Sequence, residues 1–328
     1  MKLALIGAGR IGRVHALSIA AHPEVTLAAV VDAYPEAAET LARDFGSRAR
    51  DIDDVFEDPE IDAVLIASST ATHIDYLERA ASAGKAMLCE KPIALDLAAS
   101  RATAERVAQS LCALAFNRRH DPQFSALKDQ LGQGRIGKLE TLAITSRDPE
   151  PPPLEYVKGS GGLFRDMMIH DFDMARWLLD EPIVSVYASG SCLVDPAIGE
   201  AGDVDSAVVV MKTASGRLCT ISNSRRAVYG YDQRIEAFGS DGMLQAQNEC
   251  DTRLKFVGKQ GQLEDAPRWF FLERYAEAYR RELDDFYQSW REGRAPRAGI
   301  TDGVEALRLA EAADISRREG RTVYVEEV

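Results

Sequence analysis

The sequence predicts an α/β domain built on a doubly wound parallel sheet, followed by an α+β domain with a large open, mainly antiparallel sheet. Three observations carry that reading. In the first third, short apolar runs alternate with amphipathic stretches, the mark of strand–helix–strand units whose strands are buried on both faces. Beyond about residue 120 strands follow one another, joined by hairpin-type turns such as "ASGR" and "GSDG", as antiparallel strands require. At 328 residues the chain exceeds what one small core usually holds, so two domains are expected. Their expected bounds are 1–120 and 121–328, with the C-terminal helices able to pack back on the first.

The apolar runs "KLALIG" (2–7), "VTLAAVVD" (25–32), "IDAVLIASS" (61–69), "AMLCE" (86–90) and "LCALAF" (111–116) are short and bounded by turn residues, so they read as buried strands. Helical periodicity fills 11–21, 35–45, 72–84 and 96–109. A helix at 121–131 and a strand at 138–147 lead to "DPEPPPLEYVKGSGG". Its prolines and glycines argue for a loop, and such a loop is usually functional or mobile. A helix over "FRDMMIHDFDMARWLL" (164–179) opens a series of strands, "PIVSVYASGSC", "DSAVVVMKT", "RLCTISNSRR", "DQRIEAFGS", "GMLQAQN" and "RLKFVG". Helices at 270–291 and 302–318 and a last strand, "TVYV", follow.

Composition narrows the function. A hydrophobic share of 46% and a charged share of 28% suit a soluble globular protein. A net charge of −13 argues against a nucleic-acid partner, because phosphate binding needs concentrated lysine and arginine. No window approaches the ~20 apolar residues of a membrane span, and glycines and arginines interrupt the N-terminal apolar run too soon for a signal peptide. Five cysteines stand singly without CxxC spacing, which suits a reducing compartment and points to the cytoplasm.

"LIGAGRIG" places Gly7, Gly9 and Gly12 in GxGxxG spacing between a strand and a helix. Asp32 ends the next strand, 20 residues beyond Gly12. Together they form the fingerprint of a Rossmann-type dinucleotide site. Gly7 permits the tight turn, Gly9 lets the backbone approach the pyrophosphate, and Gly12 lets helix pack on strand. The helix start at Arg10 and Ile11 offers free N–H groups to the phosphates. Asp32 accepts hydrogen bonds from the ribose hydroxyls and repels a 2′-phosphate, and neither Ala33 nor Tyr34 offsets that repulsion. NAD is therefore expected rather than NADP. Glu90 and Lys91 leave a strand at its carboxyl end, where open α/β sheets bind ligands. Pro92 holds Lys91 in an extended or cis geometry.

The glycine loop, "STATH" (69–73), "EKP" (90–92) and "GGLFRDMMIHDFDMARWLL" (161–179) together resemble the Gfo/Idh/MocA oxidoreductase family, over nearly the whole chain. "AFNRRHDPQF" (115–124), "YVKGSGGLFRDMMIHDFDMARWL" and "YGYDQ" (229–233) are most similar to its inositol 2-dehydrogenase branch. The resemblance implies that Lys91 lies beside the reacting carbon and that Asp166 and His170 form a DxxxH pair. His170 then removes the hydroxyl proton, Asp166 fixes its tautomer, and no metal takes part. Ser69, Thr70 and His73 border the nicotinamide, with His73 capping and orienting rather than reacting. Asn117, Arg118 and Arg119 leave the strand before them at its carboxyl end, where one of them, Asn117 or Arg118 foremost, is expected to hydrogen-bond a polyol, and Tyr229 and Tyr231 either close the pocket or pack on the sheet.

The residues themselves add that i,i+4 spacing sets Asp166 and His170 on one helical face. Asp171 and Asp173 read as supporting groups, one of them holding a loop backbone. Arg165 and Arg176 read as salt-bridge residues, and His120 as a solvated loop histidine. A metal site is the first rival, but the five histidines show neither HxxxH nor HxH spacing. A non-catalytic dinucleotide-binding sensor is the second, disfavoured because Lys91, Asp166 and His170 are all kept. The expected activity is NAD-dependent oxidation of a cyclic polyol, myo-inositol to 2-keto-myo-inositol foremost, with another inositol isomer or an aldopyranose as the alternative substrate. The exposed face of a large sheet is a patch that monomers rarely tolerate. The resemblance implies that it assembles a homotetramer.

Overall fold

Runs of small and branched apolar residues with no polar face become the strands β1 (Lys2–Ile6), β2 (Thr26–Val31), β3 (Ala63–Ile66), β4 (Ala86–Cys89) and β5 (Cys112–Leu114). They pair in the order β2-β1-β3-β4-β5, every pair parallel. The computed structural model that shows this describes residues Met1–Val328. Parallel neighbours need crossovers, supplied by α1 (Arg10–Ala21), α2 (Pro35–Asp44), α3 (Ile52–Glu57), α4 (His73–Ser82) and α5 (Leu97–Arg106). Helix α3 has no counterpart in the sequence reading, because six residues are too few to show a period.

These elements belong to a unit made of Met1–Asp121 and Ala276–Leu307. Leu3, Leu5, Leu65 and Leu88 of the sheet are buried in one cluster with Ala16 and Ile19 of α1 and with Leu283, Phe286 and Tyr287. The late segment is thus part of this core.

The second unit comprises Pro122–Tyr275 and Arg308–Val328. In chain order it contains α6 (Pro122–Gly132), β6 (Leu139–Arg147), α7 (Leu154–Ser160), α8 (Gly162–Asp166), α9 (Ile169–Leu179), β7 (Ile183–Ser191), α10 (Pro196–Glu200), β8 (Ser206–Thr213), β9 (Leu218–Ser224), β10 (Asp232–Gly239), β11 (Gly242–Ala246), β12 (Lys255–Gly258), β13 (Gly261–Glu264) and α11 (Phe271–Arg274). Helix α12 (Ala276–Glu292) lies in the first unit, α13 (Ile300–Glu319) runs from the first into the second, and β14 (Val323–Tyr324) closes the chain. Seven strands form an open sheet in the order β11-β10-β6-β9-β8-β7-β14. All neighbours are antiparallel except β6 and β9, which run parallel. Leu142, Ile144, Val186, Val209, Ile221 and Ile235 are buried on one face, while Tyr187, Val208, Val210, Leu218 and Phe238 of the same strands are exposed on the other.

Four readings are corrected here. The proline-rich segment expected as a loop contains α7, which starts directly after Pro153, the residue that caps it in an extended conformation. The helix expected over 164–179 is interrupted at Met167 and Met168. The helix expected over 270–291 divides at Tyr275, whose ψ of 14° leaves the helical well. "RLKFVG" does not join the open sheet, because β13 folds back on it as a separate hairpin after the turn between Gly258 and Gly261. No helix is long and apolar enough to cross a membrane.

After β5 the chain makes a 3₁₀ turn, Asn117–His120, with all four side chains buried. His120, expected in solvent, is only 4% exposed. Burial pushes its pKa down to about 4; Asp285 opposes the shift, and Arg297 and Arg119 reinforce it. The folded state therefore refuses a proton that the unfolded chain takes up near pH 6.5. This contribution to stability is complete above pH 6.5 and is lost as the pH falls toward 4. The urea midpoint should accordingly fall less between pH 7.5 and pH 5 in His120→Gln than in the parent; an equal fall in both would overturn the assignment.

Candidate active site

In the first unit, β1 delivers the chain into a turn that only glycine permits. Gly7 has φ 109°, and a Cβ there would lie 2.4 Å from the Ala67 carbonyl oxygen. A Cβ on Gly12 would lie 2.0 Å from the Gly7 carbonyl oxygen, so the first turn of α1 rests on the loop itself. Gly9 differs: nothing lies within 4 Å of its absent Cβ, and it caps α1 with no side-chain hydrogen bond. The first N–H groups of this helix, by Arg10 and Ile11, have no partner inside the helix, and helix starts of this kind bind pyrophosphates. Asp32 fixes the loop from the side, its Oδ2 accepting the Ala8 N–H at 2.6 Å and its Oδ1 the Tyr34 N–H at 2.9 Å. Ala33 and Tyr34 beside it are exposed, Tyr34 at 76%. These residues fit a dinucleotide with a free ribose 2′-hydroxyl.

Two loops leave β3 and β4 at their carboxyl ends. The first carries Ser69, which is exposed, and Thr70, which begins a 3₁₀ turn closed by the Thr72 hydroxyl donating to the Ser69 carbonyl at 2.8 Å. The second carries Glu90 and the half-buried Lys91, joined to Pro92 by a cis peptide bond. His73, 1% exposed, sits between them with Nδ1 2.8 Å from the Pro92 carbonyl oxygen and Nε2 3.2 Å from that of Ser68. Its burial holds its pKa below the ordinary histidine value against the pull of both carbonyls. Glu90 is directed inward: its Oε1 is 2.8 Å from Nε2 of His15, a ring that packs edge-on against Tyr279. Asn117 and Arg118 are buried at 3% and 4% exposure in the turn after β5.

In the second unit, Asp166 ends α8 and His170 lies in the first turn of α9. They are not on one continuous helix. The Leu163 carbonyl accepts both Met167 N–H at 3.0 Å and Met168 N–H at 2.9 Å, and this one-residue widening is a π-type irregularity of the kind found at functional sites. Asp166 is held by side chains from other segments: its Oδ1 accepts the Tyr156 hydroxyl at 2.8 Å, and its Oδ2 is 3.5 Å from the Arg225 guanidinium. The Gly161 and Gly162 backbones, both with positive φ, turn the chain from α7 into α8.

Asp171 is fully buried and accepts Ser146 Oγ at 2.5 Å and Asn223 Nδ2 at 2.9 Å. Asp173 is also fully buried. Arg165 pairs with Glu311 and lies 3.7 Å from Asp314. Tyr229 donates to Asp232 Oδ2 at 2.6 Å and accepts from Arg147 at 2.9 Å, while Tyr231 is buried edge-on to Tyr275. Sequence reasoning passed over Tyr156, Arg225, Asp203 and the His15–Glu90 contact. Strand parity was a usable signal for Arg225, since Cys219, Ile221 and Asn223 of β9 point inward and position 225 continues the period of two.

Residues 1–117 match the oxidoreductase family with an NAD-binding Rossmann fold, and residues 124–245 match the GFO/IDH/MocA C-terminal domain. The inositol 2-dehydrogenase of Rhizobium meliloti strain 1021 is 47% identical over 327 residues, covering 99% of both chains. The myo-inositol 2-dehydrogenase of Thermotoga maritima is 45% identical over 332 residues, covering 100% of this chain and 99% of its own. The crystal structure of scyllo-inositol dehydrogenase from Lactobacillus casei with bound NAD(H) and scyllo-inositol is similar with a TM-score of 0.92 at 30% identity, covering 99% of each chain. On its full length, therefore, the chain belongs to the Gfo/Idh/MocA oxidoreductase family.

Proposed function

We propose that this protein is an NAD-dependent dehydrogenase oxidising a secondary hydroxyl of a cyclic polyol, myo-inositol to 2-keto-myo-inositol first among them. The observation that carries the reading is that Lys91, Asp166 and His170 all stand in a chain similar from end to end to inositol 2-dehydrogenases. Bound NAD supplies the hydride acceptor. His170, as a neutral imidazole, takes the hydroxyl proton, and Asp166 stabilises the imidazolium that results. The Lys91 ammonium donates a hydrogen bond to the same oxygen, favouring alkoxide character during oxidation and a polarised carbonyl in the reverse direction.

Gly7, Gly9 and Gly12 with the N–H groups at Arg10 and Ile11 receive the pyrophosphate, and Asp32 receives the ribose. Ser69, Thr70, His73 and Glu90 shape the nicotinamide side, His73 and Glu90 by holding the two strand-end loops. Asn117, Arg118, Tyr229 and Tyr231 belong to the surroundings of the polyol ring. NAD rather than NADP follows from Asp32 with no cation at positions 33 and 34. The exposed face of the seven-stranded sheet supports assembly into a homotetramer, and five unpaired cysteines support a cytoplasmic location.

Two measurements test this reading. His170→Ala should lower turnover of myo-inositol by a factor on the order of 10² or more with NADH affinity nearly unchanged; turnover equal to the parent would refute the base assignment. Asp32→Ser combined with Ala33→Arg should move the kcat/KM ratio toward NADP. A parent that already prefers NADP would remove the ribose argument.

A further inference from the structure

Arg225 is the largest fully buried side chain in the protein, at 1% exposure. A guanidinium cannot shed its proton, so a buried one needs counter-charge close by. Its ion partners are two carboxylates: Nη2 lies 3.5 Å from Asp166 Oδ2 and 3.9 Å from Asp203 Oδ2, while Nε has no hydrogen bond. Every element of this arrangement is itself fixed. Asp203 Oδ1 accepts the Leu163 N–H at 3.0 Å, at the start of α8. Gly162, at φ 85°, makes room for it, since a Cβ there would lie 2.8 Å from that oxygen. The Arg225 N–H donates to the Asp205 carbonyl at 2.8 Å. The Asp205 carboxylate in turn accepts the N–H groups of Leu193, Val194 and Asp195 and the Ser206 hydroxyl.

We infer that Arg225, clamped between Asp203 and Asp166, is a positioning residue for the dehydrogenase reaction, setting the direction in which Asp166 presents its carboxylate to His170. This inference rests on the proposed dehydrogenase activity. Arg225 is too enclosed to meet a substrate, so it acts only through Asp166. Without the guanidinium, Asp166 loses the ion pair on Oδ2, while the hydroxyl of Tyr156, on a half-exposed side chain, holds the other oxygen. Misplacement of a catalytic group by about 1 Å is enough to cost on the order of 10² in rate.

The test uses the full chain with saturating NAD and myo-inositol. Arg225→Gln should lower kcat about 10- to 100-fold, with KM for the polyol and Kd for NADH each within about threefold of the parent. Arg225→Lys, which keeps the charge without the planar fork, should fall between the two. A folded Arg225→Gln protein with a lower Tm but a kcat within twofold of the parent would assign the residue to stability alone and overturn the positioning role. If Arg225→Gln does not fold, Arg225→Lys decides, and a kcat within twofold of the parent overturns the proposal. His170→Ala is measured alongside. A parent that oxidises no polyol overturns the functional reading and this role with it, whereas loss of activity in His170→Ala with none in Arg225→Gln sinks the positioning role only.

Discussion

One buried carboxylate sets the geometry of the second unit. Asp171, on the first turn of α9, accepts hydrogen bonds from Ser146 and Asn223, and those two residues stand opposite one another in the parallel pairing of β6 and β9. A charge sealed from water is tolerable only while its donors stay in place. A slide or roll of helix α9 on the sheet would strain the hydrogen bonds from these two donors. His170 directly precedes Asp171 in sequence, in the same first turn of α9. The single parallel pair in an otherwise antiparallel sheet is what brings the two donors level.

Asp166 is governed separately. The widened turn at Met167 and Met168 separates α8 from α9, and the Asp166 carboxylate meets the Tyr156 hydroxyl and the Arg225 guanidinium, which lies beside Asp203. The first unit shows the same division of labour. His15 meets the Glu90 carboxylate, and His73 lies within hydrogen-bond distance of carbonyls in the loops after β3 and β4, while Lys91 is half-buried. In both units, buried histidines, arginines and acids surround the candidate site residues.

Much of the fold was legible because it depends on local pattern. The five parallel strands announce themselves as apolar runs, and the glycine loop as a spacing that sterics demand at Gly7 and Gly12. The break in the 164–179 helix was not legible. Met167 and Met168 are good helix formers with no glycine or proline between them, and the extra residue is accommodated by a hydrogen bond to Leu163 five positions back. The fate of "RLKFVG" was also hidden, because an apolar strand does not say which sheet it joins. Of the candidate site, the residues with chemical handles were found by type and spacing. Arg225 and Asp203, by contrast, are 59 and 37 positions from Asp166 in sequence, and their meeting is a product of topology.

The chain passes between its two units at three points, Asp121–Pro122, Tyr275–Ala276 and Leu307–Arg308, and this bears on the order in which the protein is made. Leu283, Phe286 and Tyr287 are integral to the core around β1 and α1. On the ribosome the amino-terminal sheet therefore waits, its core incomplete, until more than four-fifths of the polypeptide has emerged. The second unit is incomplete at that point too, since it takes up Arg308–Val328 last, so the usual rule that the first domain folds first finds no complete first domain on which to act.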